Sequence, residues 1–193
     1  MTNSNTVGTV AKRRARQAGL TLAETLLVLA IGALAIVGGT LLYLQATAGN
    51  KLNTGINQFV TLQSGIRSLY AGTSNYTGLS TKLLTEANAA PNDMVNGTLL
   101  RNSWGGTVTA AASLANDQGF QVVFAAVPNN GCVKLITLNP GGSGGSGLVK
   151  IVTAPGGNTF QAGDGSIPVQ TAAAVAACNS GAADSNTITW TFN

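Results

Sequence analysis

With 193 residues, 45% of them hydrophobic and only 8% charged, the chain has room for one ordinary domain plus a membrane element, and two full domains would be cramped. The charged share lies far below the ~25% of an average globular protein, and an abundance of Gly, Ala, Ser, Thr and Asn argues against an ordinary cytosolic protein. The net charge of +4 is local: Lys12, Arg13, Arg14 and Arg16 supply four of the ten bases, and beyond residue 19 six bases face six acids. A basic excess confined to one short segment is a topology signal, not a polyanion-binding patch. The remaining bases, Lys51, Arg67, Lys82, Arg101, Lys134 and Lys150, are scattered without interleaved aromatics, so nucleic-acid binding is not expected.

From Thr25 to Leu44 the chain carries twenty consecutive uncharged, mostly apolar residues. As a helix they would span ~30 Å, the thickness of a bilayer's hydrocarbon core. Bases before the run and none directly after it place the N-terminus in the cytoplasm and everything beyond Tyr43 outside it. A cleaved secretory signal is one reading, but the run is longer than the usual h-region of about 7 to 15 residues. An uncleaved single-span anchor is a second, and it leaves the acid Glu24 unexplained, because an acid inside an apolar span is costly.

Past the membrane segment the pattern becomes one-sided. Leu52, Ile56, Phe59, Val60, Ile66, Leu69 and Tyr70 recur at spacings near three and four, with Asn53, Gln58, Gln63 and Arg67 between them. The same helix therefore continues to about Tyr70, roughly fifty residues in all, half membrane anchor and half spine of a globular head. Gly49, Gly55 and Gly65 weaken it locally. "AGTSNYTG", residues 71–78, ends the spine with Gly72 and Gly78 as breakers. "LSTKLLTEANAAP" then predicts a short helix capped by Ser80, with Leu83, Leu84 and Ala87 on one face and a stop before Pro91.

Strand signals follow. "GTVTAAASL" (106–114) and "GFQVVFAAV" (119–127) flank Ala115–Gln118 as a hairpin, and "LVKIVTA" (148–154) and "NTITWTF" (186–192) are two further strands. Between them, "VPNNGCVKLITL" predicts a short helix capped by Asn129 or Asn130, and "SIPVQTAAAVAAC" one capped by Ser166 with Pro168 near its first turn. The fold class expected is α+β: a long N-terminal helix packed against an antiparallel sheet.

Several chemistries can be set aside. "PGGSGGSG" (140–147) lacks the lysine followed by Ser or Thr that a phosphate loop requires, and reads as a flexible surface loop. The chain has no histidine and no clustered ligand set, so neither a metal nor a cofactor is expected. Asp93, Asp117, Asp164 and Asp184 all stand in turn-like contexts, and no triad or carboxylate dyad can be drawn, so the chain is not expected to be an enzyme. Cys132 and Cys178 form an even pair, most simply a disulfide in an oxidising compartment. Closing so long a loop stabilises by roughly 3 to 4 kcal/mol in the chain-entropy model.

The stretch "GLTLAE", Gly19 to Glu24, behind a basic leader and ahead of a long apolar helix, resembles the processing site of a type IV pilin precursor. The resemblance implies a cut between Gly19 and Leu20 by a prepilin peptidase, N-methylation of Leu20, and an assembly role for Glu24 as fifth residue of the mature chain. The spacing has a physical rationale: a new ammonium at Leu20 and the Glu24 carboxylate lie about one helical turn apart, where an unpaired charge is expensive. The amine of one subunit could equally meet Glu24 of a neighbour and fix the axial register. The 19-residue leader, Leu20 where phenylalanine is usual, and the lack of proline in the apolar helix look like the type IVb class. Gly38 and Gly39 are a soft point at which the helix is expected to loosen on assembly.

The organisation implied is a leader over 1–19, a long helix over 20–70 whose 20–44 portion forms the membrane segment and later the filament core, and a pilin head over 71–193. The resemblance also implies a C-terminal region stapled by Cys132 and Cys178, as "AACNSG" and "NTITWTF" look like a type IVb C-terminus. Its partners would be further copies of the chain, the prepilin peptidase, an inner-membrane platform with its assembly ATPase, and an outer-membrane secretin. The precursor would sit in the bacterial inner membrane with its head in the periplasm, and the mature chain in an extracellular filament serving adhesion, aggregation or conjugation. A minor pilin, a type II secretion pseudopilin and an uncleaved membrane-anchored binding module are the alternatives.

Overall fold

A computed structural model describes residues 21–138, 147–179 and 185–193. Gly19, Leu20, Asp184 and all of the 140–147 loop but Gly147 lie outside the described residues. Helix α1 runs Leu22–Leu69. The chain divides into two compact units, one ending at Gln45 and one spanning Ala46–Asn193.

In the first unit, α1 is helical through Gly38 and Gly39, and its large apolar side chains are exposed, from Leu22 at 78% to Leu41 at 56%. No proline interrupts it, and Leu and Ala, both strong helix formers, dominate. Among the described residues α1 is the one helix long and apolar enough to cross a membrane.

In the second unit, α1 buries Gly55, Gln58, Phe59, Leu62, Gln63 and Ile66, the three-and-four spacing of one helix face. Leu62, absent from the expected apolar set, is fully buried, whereas Val60 and Leu69 stay exposed. One residue beyond Phe59, Val60 is turned about 100° around the axis, away from the face that packs. Two glycines expected only to weaken the helix turn out to be points of close approach. A Cβ at Gly55 would stand 2.6 Å from the Trp104 indole, and one at Gly65 would collide with the Ala89 carbonyl oxygen. Gly49 has open space around it.

Among the described residues the sheet has seven strands: β1 (Val95–Asn96), β2 (Leu99–Arg101), β3 (Thr107–Ser113), β4 (Gly119–Val127), β5 (Leu148–Ala154), β6 (Asn158–Gln161) and β7 (Asn186–Phe192). Their order is β1-β2-β3-β4-β7-β5-β6, and every neighbouring pair is antiparallel. The last strand, β7, is thus inserted between β4 and β5, with Trp190 opposite Val122 on one side and Ile151 on the other. Strands β3, β4, β5 and β7 stand where the alternation placed them; β1, β2 and β6 were not expected.

The spine and sheet meet through aromatic rings. Phe59 lies 4.3 Å from Trp190 and 5.9 Å, edge-on, from Phe124, centroid to centroid. Phe120 and Phe192 stack at 5.0 Å, and the Arg67 guanidinium sits 5.4 Å from the Phe120 ring centre. Such ring pairs add about 0.5–1.5 kcal/mol each beyond the area they bury.

Among the described residues the head also carries three short α-helices: α2 (Thr81–Glu86), α3 (Asn129–Thr137) and α4 (Thr171–Cys178). Ser80 caps α2 as expected, its hydroxyl accepting the Leu83 N–H at 3.3 Å. The other two caps differ from expectation. Helix α3 begins after Pro128 with no side-chain cap, because the Asn129 side-chain oxygen Oδ1 accepts from the Asn186 side-chain amide at 2.8 Å and the Asn130 side chain turns to the adjacent Gly131 N–H. Helix α4 begins after Gln170, not at Ser166, whose hydroxyl is engaged with Asp164 at 2.6 Å and with the backbone of Gln161.

Candidate functional site

The start of α1 is built from two residues that the expected processing motif contains. The Thr21 carbonyl accepts from the Thr25 N–H at 3.1 Å, which makes Thr21 the N-cap. Its hydroxyl accepts the Glu24 N–H at 3.3 Å, and the Glu24 carboxylate accepts the Thr21 N–H at 3.4 Å. These bonds are long but reciprocal, the capping box that Thr-x-x-Glu spacing permits. Glu24 also places negative charge in the first turn, where the helix dipole favours it.

Glu24 therefore has a local task that the reading of it as partner to Leu20 did not include, although the Thr21-x-x-Glu24 spacing was present in the sequence. The two roles are compatible. A carboxylate has about four acceptor positions, and the Thr21 N–H is given to Oε2 alone. Leu20 itself, with Gly19, lies outside the described residues.

Beyond this cap the segment offers an apolar surface on every side. About a dozen large side chains between Leu22 and Leu44 are more than half exposed. At ~1.5–3 kcal/mol for each such side chain left in water, the total is on the order of 20–40 kcal/mol, more than the ~5–15 kcal/mol that stabilises a typical domain. A surface this large requires a bilayer or other apolar chains to cover it.

In the head, Cys132 of α3 and Cys178 of α4 are joined in a disulfide with Cα atoms 5.9 Å apart. Both are fully buried, and Cys178 is the last residue of α4, so the bridge ties the segment leading to β7 to the helix that follows β4. The described aspartates serve local structure. Asp93 accepts from the Gln58 side chain at 2.7 Å, Asp117 from the Thr77 hydroxyl at 2.9 Å, and Asp164 from both the hydroxyl and the N–H of Ser166. The Ser166 hydroxyl is the chief cause holding the exposed Asp164 carboxyl below the usual carboxylate range.

A long N-terminal helix lying along an antiparallel sheet, with a disulfide bracing the C-terminal region, is the fold of the type IV pilins. The crystal structure of a type IV b pilin from Salmonella typhi shares it at a TM-score of 0.55 and 26% identity, covering 73% of this chain and 97% of that one. TcpA, a type IV pilin from Vibrio cholerae El Tor biotype, shares the fold at a TM-score of 0.54 and 14% identity, covering 75% of this chain and 99% of that one.

The family model described as PilS N terminal matches residues 50–193, and the chain belongs to that family of type IVb pilins, a structural-subunit fold and not an enzyme. Two curated relatives, each named major structural subunit of bundle-forming pilus, come from Escherichia coli O127:H6 (strain E2348/69 / EPEC) and Escherichia coli O111:H-. Each is 30% identical over 128 residues, 65% of this chain, and the match spans 66% of the relative's own length.

Proposed function

We propose that the chain is the precursor of the structural subunit of a type IVb pilus, and that the exposed apolar surface of residues 22–44 carries this role. The helix is first covered by the inner membrane, with the basic leader in the cytoplasm and the head in the periplasm, and then by the same helices of other copies in the filament core. The names of the bundle-forming pilus relatives support assembly into a pilus.

Processing follows from the motif. A prepilin peptidase cuts between Gly19 and Leu20 and methylates the new amine, which leaves residues 20–70 as the long helix and 71–193 as the head. Glu24 then has two duties: it caps the helix through Thr21, and its free oxygen meets a Leu20 ammonium from its own or a neighbouring copy, fixing the register of the stack. The platform with its ATPase and the secretin move the subunit outward, and Gly38 and Gly39 let the helix loosen as it packs. The finished filament serves adhesion, aggregation or conjugation.

Glu24→Gln separates the two duties, because glutamine completes a capping box as well as glutamate does but carries no charge. The expected outcome is a normally folded, membrane-inserted chain with filament yield in the sheared fraction at least about tenfold lower, the loss of one charge-assisted contact per subunit. Wild-type filament yield from Glu24→Gln would refute the register role.

A further inference from the structure

Within the Ala46–Asn193 unit, a cleft of about 620 Å³ opens between the polar face of α1 and the segment from Asp93 to Gly105. We propose that this cleft is a binding site for a carboxylate-bearing saccharide, a sugar of the uronic or sialic acid class.

Its walls are held in place before any ligand arrives. The Ser103 hydroxyl donates to the Lys51 carbonyl of α1 at 2.7 Å, the Gln58 amide donates to Asp93 at 2.7 Å, and the Arg101 guanidinium donates to the Gly105 carbonyl at 2.8 Å. Behind them Asn102, 5% exposed, accepts the N–H groups of Trp104 and Gly106 and donates to the Ala125 carbonyl, which fixes the turn that carries Ser103. A site whose groups are already positioned binds without the entropy cost of ordering them.

The lining selects the ligand class. Of the six bases beyond residue 19, two, Lys51 and Arg101, border this one cleft and are exposed there. Against these two cations the lining carries one carboxylate, Asp93, so the field at the mouth favours an anion. Two cations against one carboxylate leave a single net positive charge, which a carboxylate ligand balances and a phosphate dianion exceeds.

Most of the remaining lining is hydroxyl and amide, Thr54, Asn96 and Ser103 among it, which suits a ligand whose hydroxyls both donate and accept. Gln58 also borders the cleft, 4% exposed and held by its amide bond to Asp93. The volume fits, since small-molecule sites run about 300–1,000 Å³. The lining offers no aromatic anchor, and its apolar members are Met94 and Val95, of which Met94 is already buried in the core. A partner protein would need a more apolar centre.

The test is an amide chemical-shift titration of the full chain in detergent micelles with glucuronate, with N-acetylneuraminate, and with glucose as neutral control. Saturable shifts are expected at Asn96 and Ser103 with at least one acid, and the acid that binds more tightly identifies the class. Glucose should bind about tenfold more weakly, the loss of one charge-assisted contact. Lys51→Ala and Arg101→Ala should each weaken binding by about the same factor, Arg101→Lys should recover part of it, and Lys150→Ala, outside the cleft, should change nothing. Both truncated residues are exposed, so unchanged amide dispersion will show that the variants are folded. The proposal is overturned if neither acid gives a saturable shift, if glucose binds equally well, or if Lys51→Ala and Arg101→Ala bind like the wild type. It is also overturned if the cleft amides shift on dilution alone, which would put a second copy of the chain in the cleft.

Discussion

Leu26, Leu29, Ile31 and Leu34 in the first half of α1 are all more than half exposed, whereas Leu62, Ile66, Phe120 and Trp190 in the head are wholly excluded from solvent. Both regions are rich in the same residue types; what differs is their distribution around the element that carries them. Between Leu22 and Leu44 the apolar side chains go all the way round the helix, so no single neighbour within the chain could cover them. From Ala46 onward they return on one face, and the sheet of the same chain covers that face. The contrast teaches that hydrophobicity without a face calls for a cover from outside the molecule, and hydrophobicity with a face builds a core within it.

The contrast breaks if the two regions respond alike to truncation. Trp190→Ala removes the ring that Phe59 and Phe124 pack against, and should destabilise the head by about 3–5 kcal/mol, while Leu34→Ala should leave head unfolding unchanged. Urea unfolding of the detergent-solubilised chain, followed by near-UV circular dichroism, measures both. Equal losses would mean that residues 22–44 are part of the head's cooperative unit.

A smaller effect is expected at the staple. Replacing Cys132 and Cys178 together by alanine should cost about 2–4 kcal/mol in the same unfolding experiment, and the loss should match that of the wild type under reducing conditions. A bridge that merely decorates the surface would show no such dependence on reductant.

The glycines sharpen the comparison further, since their roles differ by region. Gly65→Ala drives a methyl group into the Ala89 carbonyl and should destabilise the head by about 1–3 kcal/mol. Gly38→Ala meets nothing within 4 Å and should strengthen the isolated helix by up to ~1 kcal/mol without touching head stability. If softness at Gly38 matters on assembly, the same substitution will lower filament yield while leaving the folded subunit intact.

How much of this could be read from sequence depended on how each element is held. The spine, β3, β4, β5 and β7 announce themselves because each carries its own pattern over seven residues or more. Strands β1, β2 and β6 run two to four residues and exist through pairing with neighbours, so no local alternation marks them. The expected caps of α3 and α4 failed for a related reason: Asn129 and Ser166 were suited to capping, but Asn186, 57 residues away, and Asp164 claimed them first. At the candidate site, the charge of Glu24 drew attention to the amine it could meet, while its capping bond to Thr21 was equally legible in the Thr-x-x-Glu spacing. The polar cleft beside Lys51 and Arg101 was not legible at all, because it is assembled from residues some fifty positions apart.

Everything proposed for the apolar helix requires that the leader be removed and the remainder polymerise. Intact-mass and N-terminal peptide mass spectrometry of the chain recovered from sheared surface filaments tests this most directly. The account predicts a chain that begins at Leu20 with one methyl group on its amine and retains the Cys132–Cys178 bridge. A chain that still begins at Met1, or one cut beyond the apolar helix, would contradict it.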